Sequence, residues 1–253
     1  MEKQKIINEV LLPLEAAGFQ AYFVGGCVRD ALRGQQPKDY DIVTDATPAQ
    51  IKGVFSRISE LSENSEPYGV TMPLIGDELV EIATMRRDMT KGRHPTVTFT
   101  SDMEEDRMRR DFTANALYED ARGKVIGPDC YVTDVREKVL RFVGDPTNRL
   151  EEDPLRAFRL VRFMSKGWIS ALTPAEAAKL PRPDFSEVSK ERQLKEIRQI
   201  FAGPHFMDDD VQAMLDVLGI YDEIGVTALF ADMASCTQSP LWHAEGSTWQ
   251  EVM

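Results

Sequence analysis

AYFVGGCVRDALRGQQPKDYDIVTD, residues 21–45, is the stretch on which the fold turns. Residues 20–24 read as a buried strand that stops at Gly25-Gly26, 27–33 fit a short helix, and Tyr40 to Val43 read as a second strand. Glycine lets a backbone approach phosphate oxygens closely. Side chains at i and i+2 of a strand share a face, so Asp39 and Asp41 present two carboxylates to one side. Hard cations such as Mg²⁺ take one or two protein carboxylates and keep water and substrate phosphate as their other ligands. Each feature alone has a plain alternative: a tight turn for the glycines, a solvated loop for the acids. Arg29 could bind phosphate, or pair with Asp30 or Asp41.

Working outward, residues 3–17 carry a helical apolar stripe (Ile6, Ile7, Val10, Leu11, Leu14) closed by Gly18. Thr47-Pro48 starts a helix that runs to about residue 55. A hairpin is expected for 68–75 and 78–84 around Gly76-Asp77, and it brings Glu81 beside the first two acids as a third candidate carboxylate. Residues 86–95 read as a charged loop, 97–100 as a short strand, 103–118 as a helix, and 118–126 as a small hairpin broken at Arg122-Gly123. From about residue 133 almost only helices are expected, at 133–138, 153–166, 174–180, 189–201, 207–218 and 221–231.

Composition narrows the class. The chain has 253 residues, 42% hydrophobic and 28% charged, as globular proteins do, and no apolar run of membrane-spanning length. The N-terminal MEKQKIINEV is charged and helical rather than a signal peptide, so a cytoplasmic location is expected. Three cysteines, far apart, make neither a zinc spacing nor a disulfide framework. A net charge of −12 argues against a protein that coats nucleic acid by bulk charge. The arginines are nonetheless clustered, at 86, 87 and 93, at 107, 109 and 110, and at 149, 156, 159 and 162, which suits a phosphorylated ligand bound at one place.

Three motifs occur in order. GGCVRD at 25–30 with DYDIVT at 39–44, DRMRRDFTANALY at 106–118, and RLEEDPLRAFRLVRF at 149–163 together resemble class II tRNA nucleotidyltransferases, the CCA-adding enzymes and bacterial poly(A) polymerases. The resemblance covers roughly residues 20–205. It implies an α+β fold: a polymerase-beta-like head with a mixed sheet flanked by helices, then an all-helical C-terminal part. Boundaries are expected at 1–138 for the head, 139–205 for a helical neck that recognises the base, and 206–253 for a partial body. By the same resemblance, Asp39 and Asp41 hold the catalytic Mg²⁺, and Gly25, Gly26 and Arg29 contact the triphosphate. Arg109, Asp111 and Asn115 lie near the nucleotide, with Asp111 at the ribose. Asp153 and Arg156 form a protein template for the base, and Arg159 supports them or binds phosphate.

The template has a chemical rationale. Cytosine and adenine each offer an exocyclic amine donor beside a ring-nitrogen acceptor, which one Asp-Arg pair can satisfy. Uracil would leave polar groups unpaired. Without the resemblance, Asp153 is an N-cap, and arginines spaced by three are a solvated stripe. MRRDMTKGRHPTVTFTSD at 85–102 looks like the family's mobile loop. IGPDCYVTD at 126–134 departs from the family's usual DPFGG, with Cys130-Tyr131 in place of the glycine pair. PLWHAEGSTWQEVM at 240–253 resembles the entry to an HD phosphohydrolase domain, but Glu251 replaces its first expected histidine, so no HD activity is expected. The partners implied are CTP and ATP and a tRNA 3′ end, with no membrane. The function implied is C and/or A addition with release of pyrophosphate. Poly(A) addition, partial CC or A addition, and a binding relative without turnover are the alternatives.

Overall fold

The computed structural model describes residues 2–60, 65–90, 96–186 and 188–221. Its organising element is a six-stranded mixed sheet. β1 (Ala21–Val24) pairs antiparallel with β2 (Asp41–Thr44), and β2 runs parallel to β6 (Ile82–Thr84). β3 (Val70–Thr71) closes one edge against β6. β9 (Tyr118–Glu119) and β10 (Val125–Ile126) close the other edge beside β1. The expected hairpin forms: β4 (Leu74–Ile75) pairs with β5 (Glu78–Leu79) across Gly76-Asp77.

Helices flank the sheet as the sequence stripes require. Residues 3–16 are helical throughout, with a π-helical turn at Ile7–Leu11, and bury Val10, Leu11 and Leu14 completely. Pro48–Val54 starts on the expected cap. Thr47 Oγ1 accepts from the Gln50 N–H at 3.4 Å, and the Thr47 N–H donates to Gln50 Oε1 at 2.8 Å.

The structure departs from expectation at four points. Residues 86–95 are not all loop: β7 (Arg86–Asp88) pairs with β8 (Val97–Phe99), in register Arg87 with Thr98. The helix expected over 103–118 ends at Met108. There the backbone turns to bond a neighbouring segment: the Thr113 N–H donates to the Arg141 carbonyl at 2.9 Å, and the Val143 N–H to the Asp111 carbonyl at 3.0 Å. Those bonds and a bridge between Phe112 and Phe142 outweigh the helical period. A helix the sequence did not suggest, Pro146–Glu152, precedes the one expected over 153–166, which forms as Leu155–Met164. The first begins on Asp145, whose side chain accepts from the Asn148 N–H at 3.0 Å, with Pro146 next. Finally, the C-terminal part is not purely helical: β11 (Val139–Leu140) and β12 (Ile169–Ser170) form a short parallel pair.

Cys130 and Tyr131 fall in the first turn of the helix Asp129–Glu137. One buried apolar cluster runs from Ile6 through Phe112, Phe158 and Phe163 to Ile220, so sheet and C-terminal helices share a core. Among the described residues no helix is long and apolar enough to cross a membrane. The helix expected at 221–231, save Tyr221, and the stretch 240–253 lie outside the described residues.

Candidate active site

Gly25 leaves β1 with φ of 75° and ψ of −127°, a conformation that L side chains rarely adopt, so glycine is required by the backbone. Gly26 has no such constraint; it opens the helix Gly26–Leu32, and a side chain there would meet only the Arg29 guanidinium, at 3.6 Å. That turn forms one end of a cleft of about 570 Å³ that also holds Arg29, Asp41, Asp111, Asn115 and Arg159.

The three candidate carboxylates do not share one strand. Asp41 is the first residue of β2, and Asp39 precedes the strand on an exposed loop. The parallel register pairs Ile42 with Ile82, which sets Asp41, at the start of β2, opposite Glu81, the residue just before β6. The electrostatics agree with that proximity. Asp41 reaches the cleft, yet enough protein surrounds it that desolvation raises its carboxyl; Arg110 pulls the other way and Asp39 adds to the rise. Desolvation also raises Glu81, and Asp41 reinforces it. Among the described residues no cluster of three metal-ligating side chains is assembled.

Of the two carboxylates open to it in the sequence, Arg29 joins Asp30, at 2.8 Å, and it donates to Asn115 Oδ1 at 2.7 Å. Its guanidinium also lies 5.2 Å from the Phe163 ring centre and 5.9 Å from that of Trp168. Asn115 Nδ2 donates to Asp111 Oδ1 at 3.1 Å, and Asp111 Oδ2 meets the Arg159 guanidinium at 2.5 Å. One polar chain therefore crosses the cleft from the glycine turn to the helix Leu155–Met164. Burial alone would raise Asp111, but the Arg159 charge, Asn115 and the Phe112 N–H outweigh it and hold the carboxyl below its usual value.

A second cleft of about 820 Å³ lies on the other side of Arg110, Asp111 and Arg159, which line both. It holds Arg109, Asp153 and Arg156. No ion pair joins Asp153 to Arg156. Asp153 Oδ1 accepts from the Leu155 N–H at 3.1 Å, and its other oxygen lies 3.8 Å from Arg192. Arg156 donates to Glu152 at 2.9 Å and to the backbone carbonyls of Arg149 at 3.0 Å and Arg109 at 2.9 Å. Both residues line the same cleft from fixed positions. Nor are the arginines spaced by three a solvated stripe: Arg156 meets Glu152, Arg159 meets Asp111, and Arg162 meets Glu196 at 2.7 Å.

Two residues absent from the sequence-based site belong to its frame. Asp106 is wholly buried, and Arg110 stands between the clefts beside Asp41. Trp168, Lys138 and Lys166 also line the smaller cleft, and no motif signals them.

Comparison with known proteins agrees with this geometry. Residues 21–141 match the Poly A polymerase head domain. The chain is 40% identical over 198 residues to the CCA-adding enzyme of Bacillus subtilis, covering 77% of this chain and 49% of that protein. It is 36% identical over 171 residues to Poly(A) polymerase I of Haemophilus influenzae, covering 62% of this chain and 37% of that protein. The crystal structure of the Bacillus stearothermophilus CCA-adding enzyme in complex with CTP superposes with a TM-score of 0.73 at 31% identity, over 87% of this chain and 53% of that one. The chain thus spans about half the length of the relatives it matches. Within that half, residues 21–141 match the Poly A polymerase head domain, and the similarity extends to both a CCA-adding enzyme and a poly(A) polymerase.

Proposed function

We propose that the chain carries the catalytic part of a template-independent RNA nucleotidyltransferase that adds C and/or A to the 3′ end of tRNA. In the reaction the primer 3′-oxygen loses its proton and bonds to the α-phosphorus of CTP or ATP, and the bond to pyrophosphate breaks. The observation that carries this reading is the register that sets Asp41 opposite Glu81, with Asp41 lining a cleft together with Gly25, Arg29 and Arg110.

The donors suit a divalent cation. They are hard oxygen atoms, mutually repelling and raised by crowding, and a cation would relieve that repulsion. Asp39 and Asp41 would hold Mg²⁺, with Glu81 beside them. When bound, Mg²⁺ polarises the phosphoryl oxygens and favours the ionised primer hydroxyl. Arg29 binds phosphate from its station between Asp30 and Asn115, and Asp111 accepts from the ribose 2′-hydroxyl. Asp153 and Arg156 select the base within the segment 139–205. Their preset bonds favour this role, because a donor already fixed by Glu152 and two carbonyls loses little freedom on binding.

The test is incubation with Mg²⁺ and tRNA transcripts ending before CCA, after C and after CC, with CTP, ATP or both. Stepwise growth to CCA is expected. Long A tails would move the assignment to poly(A) polymerase, the second named relative. Nucleotide binding with no growth on any primer would leave a binding relative without turnover.

A further inference from the structure

We propose that Asp106, outside every residue assigned to the site above, is a positioning residue that aims Arg109 and Arg110 into the two clefts; the proposal rests on the nucleotidyl-transfer reading. Its carboxylate is wholly buried and takes donors from three separate parts of the head. Arg109 Nε donates to Oδ1 at 2.9 Å, and Arg110 Nη2 to Oδ2 at 2.8 Å. The Tyr118 hydroxyl, from β9, donates to Oδ2 at 2.8 Å. The backbone N–H of Arg86, from β7, reaches Oδ1 at 3.3 Å.

The two arginines are consecutive in sequence but do different things. Each oxygen of Asp106 holds one of them, and their free edges face different spaces. Arg109 lines only the larger cleft, with Asp153 and Arg156. Arg110 lines both clefts. Its Nη1 lies about as near Gly25 as Asp41 Oδ2 does: a Cβ on Gly25 would stand 4.0 Å from the first and 3.8 Å from the second. Arg110 is therefore the cation stationed at the glycine turn and the carboxylates, where the phosphates of a nucleotide would run.

An arginine left to itself samples many rotamers and loses them on binding. A buried bidentate partner removes that loss and fixes the fork. Tyr118 completes the arrangement. Its hydroxyl donates to Asp106 and accepts from Arg110 Nε at 3.3 Å, so it sets the angle between acid and base. The Arg86 bond ties the start of the β7 strand to the same carboxylate, so one buried group registers both walls of the larger cleft.

The test is equilibrium binding of CTP, CDP and CMP to the 253-residue chain and to Asp106→Asn and Tyr118→Phe. If Arg110 is aimed at phosphates, affinity rises with each phosphate in the unchanged protein. The CTP-to-CMP affinity ratio then falls about tenfold in Asp106→Asn and about threefold in Tyr118→Phe, with CMP binding little altered. A role confined to holding the head together would lower all three affinities alike. A ratio unchanged in Asp106→Asn with native circular dichroism overturns the proposal. Should that variant fail to fold, Tyr118→Phe decides by the same ratio. A wild-type chain that binds CMP as tightly as CTP overturns both this proposal and the reading beneath it. A wild-type preference for CTP that both variants keep overturns the positioning role alone.

Discussion

Asp41 is costly to keep ionised. Desolvation raises its carboxyl, Arg110 offsets part of the rise, and Asp39 adds to it. A carboxyl raised on folding opposes stability at pH values above its folded value, where it is charged. Asp41→Asn should therefore melt at the same temperature as the unchanged chain or slightly higher, while nucleotide incorporation drops on the order of a thousandfold or more. Thermal melts beside primer-extension rates check both halves; a variant that incorporates normally removes Asp41 from the chemistry. Asp106 is the opposite case. Burial pushes it up, but Arg110, Arg109 and Tyr118 bring it down to about 2. Its contribution is fully present above the unfolded value and is lost as pH falls from about 4 through about 2, a change of roughly 2 kcal/mol. Urea midpoints measured across that window should fall more steeply for the unchanged chain than for Asp106→Asn, and parallel curves would contradict the assignment.

The helix Leu155–Met164 joins chemistry to packing. Its Ala157, Phe158 and Val161 are fully buried, while Arg159 crosses to Asp111 on the far wall of the cleft. Removing Arg159 leaves the buried Asp111 carboxylate only the Asn115 and Phe112 N–H donors, both on Oδ1, to offset its charge. Arg159→Ala should lower stability by about 3 kcal/mol in chemical denaturation, and a loss below about 1 kcal/mol would mean that Asp111 finds another partner. At this level the sequence was most readable where local signals agree with the fold. Thr47-Pro48, the glycine stop after β1 and the hairpin at Gly76-Asp77 all formed as their residues dictate. It failed where long-range backbone bonds decide. Nothing local in RRDFTANA announces that its helix ends at Met108, because the bonds that end it come from Arg141 and Val143. The candidate site divides the same way. The motif residues of both clefts come together and Glu81 pairs beside Asp41 as its strand suggested, but Asp39 lies on an exposed loop before β2 rather than on the strand with Asp41. Asp106 was legible as the acid three and four residues before Arg109 and Arg110, a helical pairing interval, but its Tyr118 and Arg86 partners were not.

Across the whole molecule, a net charge of −12 coexists with cations gathered at the clefts. Arg33, Lys138 and Lys166 line the smaller one, and among the described residues no carboxylate forms an ion pair with them. On the proposed function these cations are where RNA would be drawn, and primer binding should be sensitive to salt. With about three phosphates of a single strand neutralised, primer affinity should fall roughly twentyfold between 50 and 200 mM salt, and a flat salt response would exclude this region as the RNA contact. Base choice is the sharper test of how the two clefts work together. Arg110, Asp111 and Arg159 form the wall between them, so the phosphate end and the base end of one nucleotide can be held by different elements. Asp153 sits in the larger cleft, where among the described residues its side chain meets the Leu155 N–H and, loosely, Arg192. It has acceptor capacity left for an exocyclic amine, which cytosine and adenine offer and uracil lacks. Asp153→Ala should therefore narrow the preference for CTP over UTP by about tenfold or more while leaving KM for CTP within a few-fold. Single-nucleotide incorporation rates with each triphosphate read this directly. If the preference survives intact, selection lies with the primer or with Arg156 alone; if KM rises in step with the lost preference, Asp153 contributes to binding rather than to choice.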